Sequence, residues 1–87
     1  MPRDITPGWR FVSIGVERAD VSLDGVDPWM HEREWTRTDE GPITVAHPSY
    51  PAERHSMDVY EVVLPDRTIR FAAGEFSNGV WGFYVPE

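Results

Sequence analysis

The sequence predicts an all-β, mainly antiparallel fold, a small barrel or tight sandwich of about six strands with a C-terminal three-stranded meander. Three observations carry this expectation. Short segments rich in valine, isoleucine and aromatic residues alternate apolar with polar positions, the two-residue period of a strand. Turn signals separate them at Asp24-Gly25, Asp39-Glu40-Gly41-Pro42, Pro65-Asp66 and Asn78-Gly79. Internal repeats, low-complexity tracts and heptad patterns are absent, and the helical signal amounts to at most one short turn near 28–31.

In chain order, residues 1–8 hold two prolines, one glycine and little apolar content. They read as a loose lead-in to a single domain spanning 1–87. Trp9 to Arg18 alternates, with Val12, Ile14 and Val16 on one side and Phe11, Ser13, Gly15 and Glu17 on the other. That is a half-buried strand. Asp20 to Leu23 continues as a short strand or extended edge up to Asp24-Gly25. Asp27-Pro28 is a good helix start, an N-cap followed by proline at the first helical position, and predicts a turn over Pro28 to His31. A strand from about Glu32 to Thr38 follows. It is expected to pair as a hairpin with Ile43 to His47 across the turn at Asp39 to Pro42. Pro48 and Pro51 deny ladder donors and restrict their neighbours, so the segment to Met57 reads as a surface loop.

Asp58 to Leu64 opens the meander. A two-residue loop at Pro65-Asp66 sets Val62 opposite Ile69, Glu61 opposite Arg70 and Tyr60 opposite Phe71. This register pairs opposite charges and like apolar groups. Asn78-Gly79 is the strongest short hairpin signal in the chain, because a type I′ turn needs positive φ at both central residues. It sets Ser77 opposite Val80, Phe76 opposite Trp81, Gly74 opposite Phe83 and Ala72 opposite Val85. One face then carries Ala72, Gly74, Phe76, Trp81, Phe83 and Val85; the other carries Phe71, Ala73 and Tyr84. With apolar groups on both faces, the meander needs cover from the N-terminal half.

The chain has 87 residues and a net charge of −7, fifteen acidic residues against eight basic. All eight basic residues are arginine, which reads as codon bias in a GC-rich, bacterial genome or, functionally, as exclusion of lysine from a surface that must stay acidic, and cysteine is absent. The second fact excludes a disulfide framework and a cysteine zinc site. No apolar run approaches a membrane span or a signal-peptide core, so a cytoplasmic location is expected and no membrane partner. Phosphate binding needs clustered basic residues, and here the arginines are dispersed along an acidic chain. Direct nucleic-acid binding is therefore not expected. An acidic domain is instead suited to a protein partner with a basic surface.

Motifs that carry chemistry are sparse. Ser49, Ser56, His47, His55 and Asp58 supply the residue types of a triad, but no nucleophile elbow accompanies them. The glycines form no phosphate loop, and no cofactor is expected. Glu32 and Glu34 share one face of the expected strand, with Asp39 and Glu40 just beyond, and read as a solvated acidic surface. A weaker alternative is a metal site from His47, His55 and Asp58, donors suited to zinc or iron but without a recognised spacing. The candidates for protein binding are Trp29, His31, Glu32, Arg33, Glu34, Trp35 and Tyr50. On a strand, Trp29 and Trp35 would flank His31 and Arg33, a face with the composition of a binding hot spot. Core membership is the competing reading for both tryptophans. Tyr50 lies in a rigid, proline-bounded loop and is the other candidate anchor.

These residues point to a small acidic, non-enzymatic protein-binding domain. Its sharpest form is an inhibitor or immunity-type protein covering a basic surface of its target. The competing readings are a small-molecule or metal-binding barrel that uses the 47–58 loop, and self-association through an edge strand.

Overall fold

A computed structural model describes residues 5–87; of the expected lead-in over residues 1–8, the part before Ile5 lies outside the described residues. The described residues form six strands, β1 (Trp9–Val16), β2 (Thr36–Arg37), β3 (Ile43–Ala46), β4 (Arg54–Val63), β5 (Thr68–Ser77) and β6 (Val80–Pro86). A 3-10 helix spans Pro28–Glu34. Every pairing is antiparallel, in the order β1-β6-β5-β4-β2, with β3 also on β4. β1 and β2 are the free ends of this path, so the sheet is not a closed barrel.

The meander is present, and its two turns behave differently. Between β4 and β5 the register is the expected one, Tyr60 against Phe71, Glu61 against Arg70 and Val62 against Ile69. Between β5 and β6, Ser77 faces Val80, but a bulge at Phe76 then places Glu75 against Trp81, Ala73 against Phe83 and Ala72 against Tyr84. Positive φ occurs at Gly79 and not at Asn78, so the turn is not type I′. The Glu75 carboxylate accepts a hydrogen bond from the Gly79 N–H at 2.6 Å and holds the bulged arm against the turn. A one-residue shift transfers a strand's side chains to the opposite face. Phe83, Trp81 and Val85 accordingly share a face with Phe71 and Ala73, whereas Phe76 and Tyr84 lie with Ala72.

Four further expectations are corrected. The hairpin of 32–38 with 43–47 does not form, because residues as far as Glu34 are helical and leave no arm to pair. β2 and β3 instead run in one direction along the same edge of β4, Thr36 against Glu61 and Ile43 against Met57, like one strand interrupted at Asp39 to Pro42. β4 has ten residues and an edge long enough for both; it starts at Arg54, where a loop to Met57 was expected. Residues 20–23 form no strand. Leu23 bridges Val26 across Asp24 and Gly25, which both have positive φ, so the type I′ geometry occurs at this turn instead. In β1 a bulge between Phe11 and Ser13 divides the expected apolar side: Val12 packs on the core while Ile14 and Val16 are exposed.

The sheet has a core on each face. On the first, Leu23, Val62, Ile69, Phe71, Ala73 and Phe83 are buried beneath the 3-10 helix and the Leu23–Val26 turn. On the second, Ile43, Val45, Met57, Val59, Ala72 and Tyr84 are buried, with Trp9 and Phe76 at the margin. β3 closes this side together with Thr6, whose N–H donates to the Thr44 carbonyl at 2.9 Å; the Thr44 N–H donates to Thr6 Oγ1 at 2.9 Å. Fully burying one such Phe, Met or Val side chain contributes about 1.5–3 kcal/mol. No helix among the described residues is long and apolar enough to cross a membrane.

Candidate functional site

The segment 28–35 holds most of the nominated residues, and its local chemistry sets where each one goes. Asp27 caps the helix, its Oδ1 accepting from the Trp29 N–H at 3.0 Å, and Pro28 takes the first helical position, as Asp-Pro predicts. At His31 the backbone leaves helical geometry (φ −119°, ψ 27°) and turns the chain toward β2. The Trp35 indole N–H then donates back to the Pro28 carbonyl at 2.9 Å. Trp29 and Trp35 come together at 5.1 Å between ring centroids. Trp29 presents its edge to Trp81 and Phe83, and Trp35 packs on Tyr60 and Phe71. Both rings form the lid of the first core. Helical geometry replaces the expected strand face, so His31 and Arg33 do not lie between the tryptophans on one surface.

The polar members of the segment point outward. Glu32 accepts from Arg18 through both carboxylate oxygens, at 3.0 and 3.1 Å, which ties the helix to the end of β1. This pair pushes the Arg18 guanidinium pKa up, through the hydrogen bond first and the charge of Glu32 second. His31 Nδ1 lies 3.0 Å from Glu34 Oε1. Arg33 is exposed and has no ion-pair partner among the described residues. Met30, which the pattern left among polar neighbours, is 80% exposed at the helix surface.

Tyr50 sits apart from this segment. Its ring, 60% exposed, packs against His47 at 4.9 Å. His47 and His55 stand 5.8 Å apart and both contact Phe76, so β3, β4 and the bulged β5 meet in a small ring cluster. His47 Nδ1 accepts from the Ser49 N–H at 3.0 Å, and His55 Nε2 lies 3.1 Å from Glu53. Asp58 does not join the two imidazoles; its carboxylate is directed to Arg37 at 3.9 Å. Among the described residues no group of three or more histidine, aspartate or glutamate side chains is placed to hold a metal ion.

Charge is distributed unevenly. Arg18, Arg37, Arg67 and Arg70 each stand against a carboxylate. Asp20, Asp39, Asp66 and Glu87 are exposed and face no arginine among the described residues. Sequence spacing did not suggest a place where arginines gather. Arg10, Arg67 and Arg70 line a cleft of about 640 Å³ where β1, β5 and β6 end, with Ser22 and Thr68 beside them. Fifty-seven positions separate Arg10 from Arg67, and sheet order alone brings them together.

The chain matches no protein-family model, no curated protein and no solved structure.

Proposed function

We propose that this domain binds another protein through its acidic surface and that the partner presents a basic one, as the target of an inhibitor or immunity-type protein would. The observation that carries the reading is the imbalance of surface charge: Arg18, Arg37, Arg67 and Arg70 are engaged by neighbouring carboxylates, while Asp20, Asp39, Asp66 and Glu87 are exposed and face no arginine among the described residues. Such a surface steers a cationic partner and orients it on approach. Trp29 and Trp35 serve this reading by fixing the helix. His31, Glu32, Arg33 and Glu34 then form a polar rim around exposed Met30, a flexible apolar anchor, and Tyr50 offers a second anchor elsewhere. The test is capture of partners from the source cells at low salt, followed by titration of the captured protein against added salt. Affinity should fall about tenfold or more as screening shortens to about 8 Å. Salt-independent binding would contradict the reading.

One observation favours a second reading, self-association. β1 is a free edge that exposes Phe11, Ile14 and Val16 at 37%, 39% and 68%. An unpaired edge of this kind can add a strand from another copy, although the bulge at Val12 works against continuous pairing. Sedimentation of the full chain decides it: a concentration-dependent dimer that Ile14→Lys removes supports pairing, and a monomer at all concentrations excludes it.

A further inference from the structure

The sheet forks at one end. The β5–β6 ladder stops at Ala72 and Tyr84, yet β6 stays paired with β1 as far as Pro86, and β5 stays paired with β4 as far as Thr68. Proline has no N–H to donate, so Pro86 cannot extend the ladder toward β5. The two strands part, and the ladder that would join Val85 and Pro86 to Phe71 and Arg70 does not form. The cleft of about 640 Å³ occupies this fork, within the usual range for small-ligand sites.

We propose that the fork is a binding site for a carboxylate carried on an apolar body. Its walls supply both halves of such a ligand's chemistry: Val12, Leu23, Ile69 and Val85 form an apolar lining, and Arg10, Arg67 and Arg70 border it from different strands and turns. The three guanidinium groups are not equivalent. Arg67 is held by Asp24, its Nη1 at 3.0 Å from the carboxylate and its Nη2 donating to the Asp24 carbonyl at 2.8 Å. Arg70 lies between carboxylates, Glu40 at 3.4 Å and Glu61 directly across the ladder, and leans over the Trp9 ring. Arg10 is exposed at the rim and has no carboxylate partner among the described residues. One uncommitted guanidinium matches one carboxylate, which it can engage through two parallel N–H donors. A dianion would meet Asp24 and Glu61 in the same lining with too little positive charge to balance it. The unfilled strand edges add backbone donors and acceptors along the apolar walls, which suits either a small organic acid or the free C-terminus of an extended peptide.

The site is tested by amide NMR of the full chain with five probes. These are phenylacetate, acetyl-alanyl-leucine, the corresponding amides of both, and phenyl phosphate. Saturable shifts at Arg10, Thr68, Ile69 and Val85 with at least one acid, absent with its amide, are the expected result. Phenylacetate alone would identify a small acid, and the dipeptide alone a peptide terminus. Arg10→Gln should weaken the binding acid about tenfold, whereas Arg37→Gln, at an exposed arginine on β2 at the other end of the strand order, should leave it unchanged. Both positions are exposed, so both variants should retain the wild-type spectrum elsewhere. Absence of shifts with both acids up to millimolar concentration would overturn the proposal. So would equal losses in the two variants, or tighter binding of phenyl phosphate than of either acid.

Discussion

The two faces of the sheet are closed by different means. On the second face the cover is backbone: β3 is hydrogen-bonded to β4, and Thr6 exchanges two hydrogen bonds with Thr44. On the first face the cover is side chain. The 3-10 helix has no ladder to the sheet beneath it, and Trp29 and Trp35 dock it onto Phe71, Trp81 and Phe83 by ring packing. A ladder fixes register and leaves little freedom; a ring-packed lid depends on a few large contacts, any one of which can be deleted by substitution. The difference also bears on function. Residues with the composition of a binding surface are partly consumed in holding the lid, which leaves charge, Met30 and Tyr50 as what the surface offers.

Deleting a central ring should have the largest effect. Phe71 is fully buried on the first face, and Phe71→Ala should cost about 3–5 kcal/mol. Met57→Ala, the counterpart on the second face, should cost about 2–5 kcal/mol. Urea unfolding should remain a single transition for both, since β4 and β5 contribute residues to both cores. Two separated transitions would mean that the faces are independent.

The bulge offers a sharper probe. A Cβ at Gly82 would lie 2.2 Å from Phe76 Cε2, so Gly82→Ala must displace the Phe76 ring and should cost about 1–3 kcal/mol. Most of that penalty should disappear when Phe76→Ala is introduced as well, a coupling that a double-mutant cycle measures. Additive costs would mean that Phe76 does not cross over Gly82.

Within the lid the two tryptophans differ. The Trp35 indole N–H has the Pro28 carbonyl as partner, whereas the buried Trp29 indole N–H has none among the described residues. Trp35→Phe removes a hydrogen bond and leaves a carbonyl without its donor; Trp29→Phe removes an unmatched donor. The first should cost more than the second by about 1 kcal/mol in the same unfolding assay.

The smallest expected effect is on alkaline stability. Burial raises the Tyr84 pKa above its ordinary 10.0, and its hydroxyl donates to the Ala46 carbonyl at 3.0 Å. A raised folded-state pKa means that the native state retains a proton the unfolded chain loses. Its contribution is therefore complete below pH 10.0 and declines as pH rises through the folded pKa. Tyr84→Phe should flatten the loss of stability measured above that pH. Tyr60, also raised, first by burial and then by Asp58, should retain its own share.

How much of this was legible in the sequence depended on whether a signal was local. Asp27-Pro28 marked the helix start because capping involves neighbours in the chain. The β4–β5 register followed from Glu61, Arg70 and the apolar pairs around them. Asn78-Gly79 marked its turn but not the bulge beside it, because the Glu75 carboxylate and the Phe76 ring are satisfied across strands. Asp24-Gly25 adopts the type I′ form with flanking segments too short to read as a hairpin. The helix was underestimated beyond His31 since the same residues also alternate, and indole packing on Phe71 and Tyr60 decides between the two periods. In the candidate segment, identities were legible but directions were not. The arginine cleft was illegible, because only sheet order places Arg10 beside Arg67.

Hydrogen exchange at the Trp35 indole N–H tests most directly whether this ring closes the core. If Trp35 belongs to the lid, its indole proton should exchange only through global opening, with protection that follows the stability of the buried strands. Exchange near the rate of a free indole, in a chain whose β4 and β5 amides remain protected, would place Trp35 on the open surface and contradict the account.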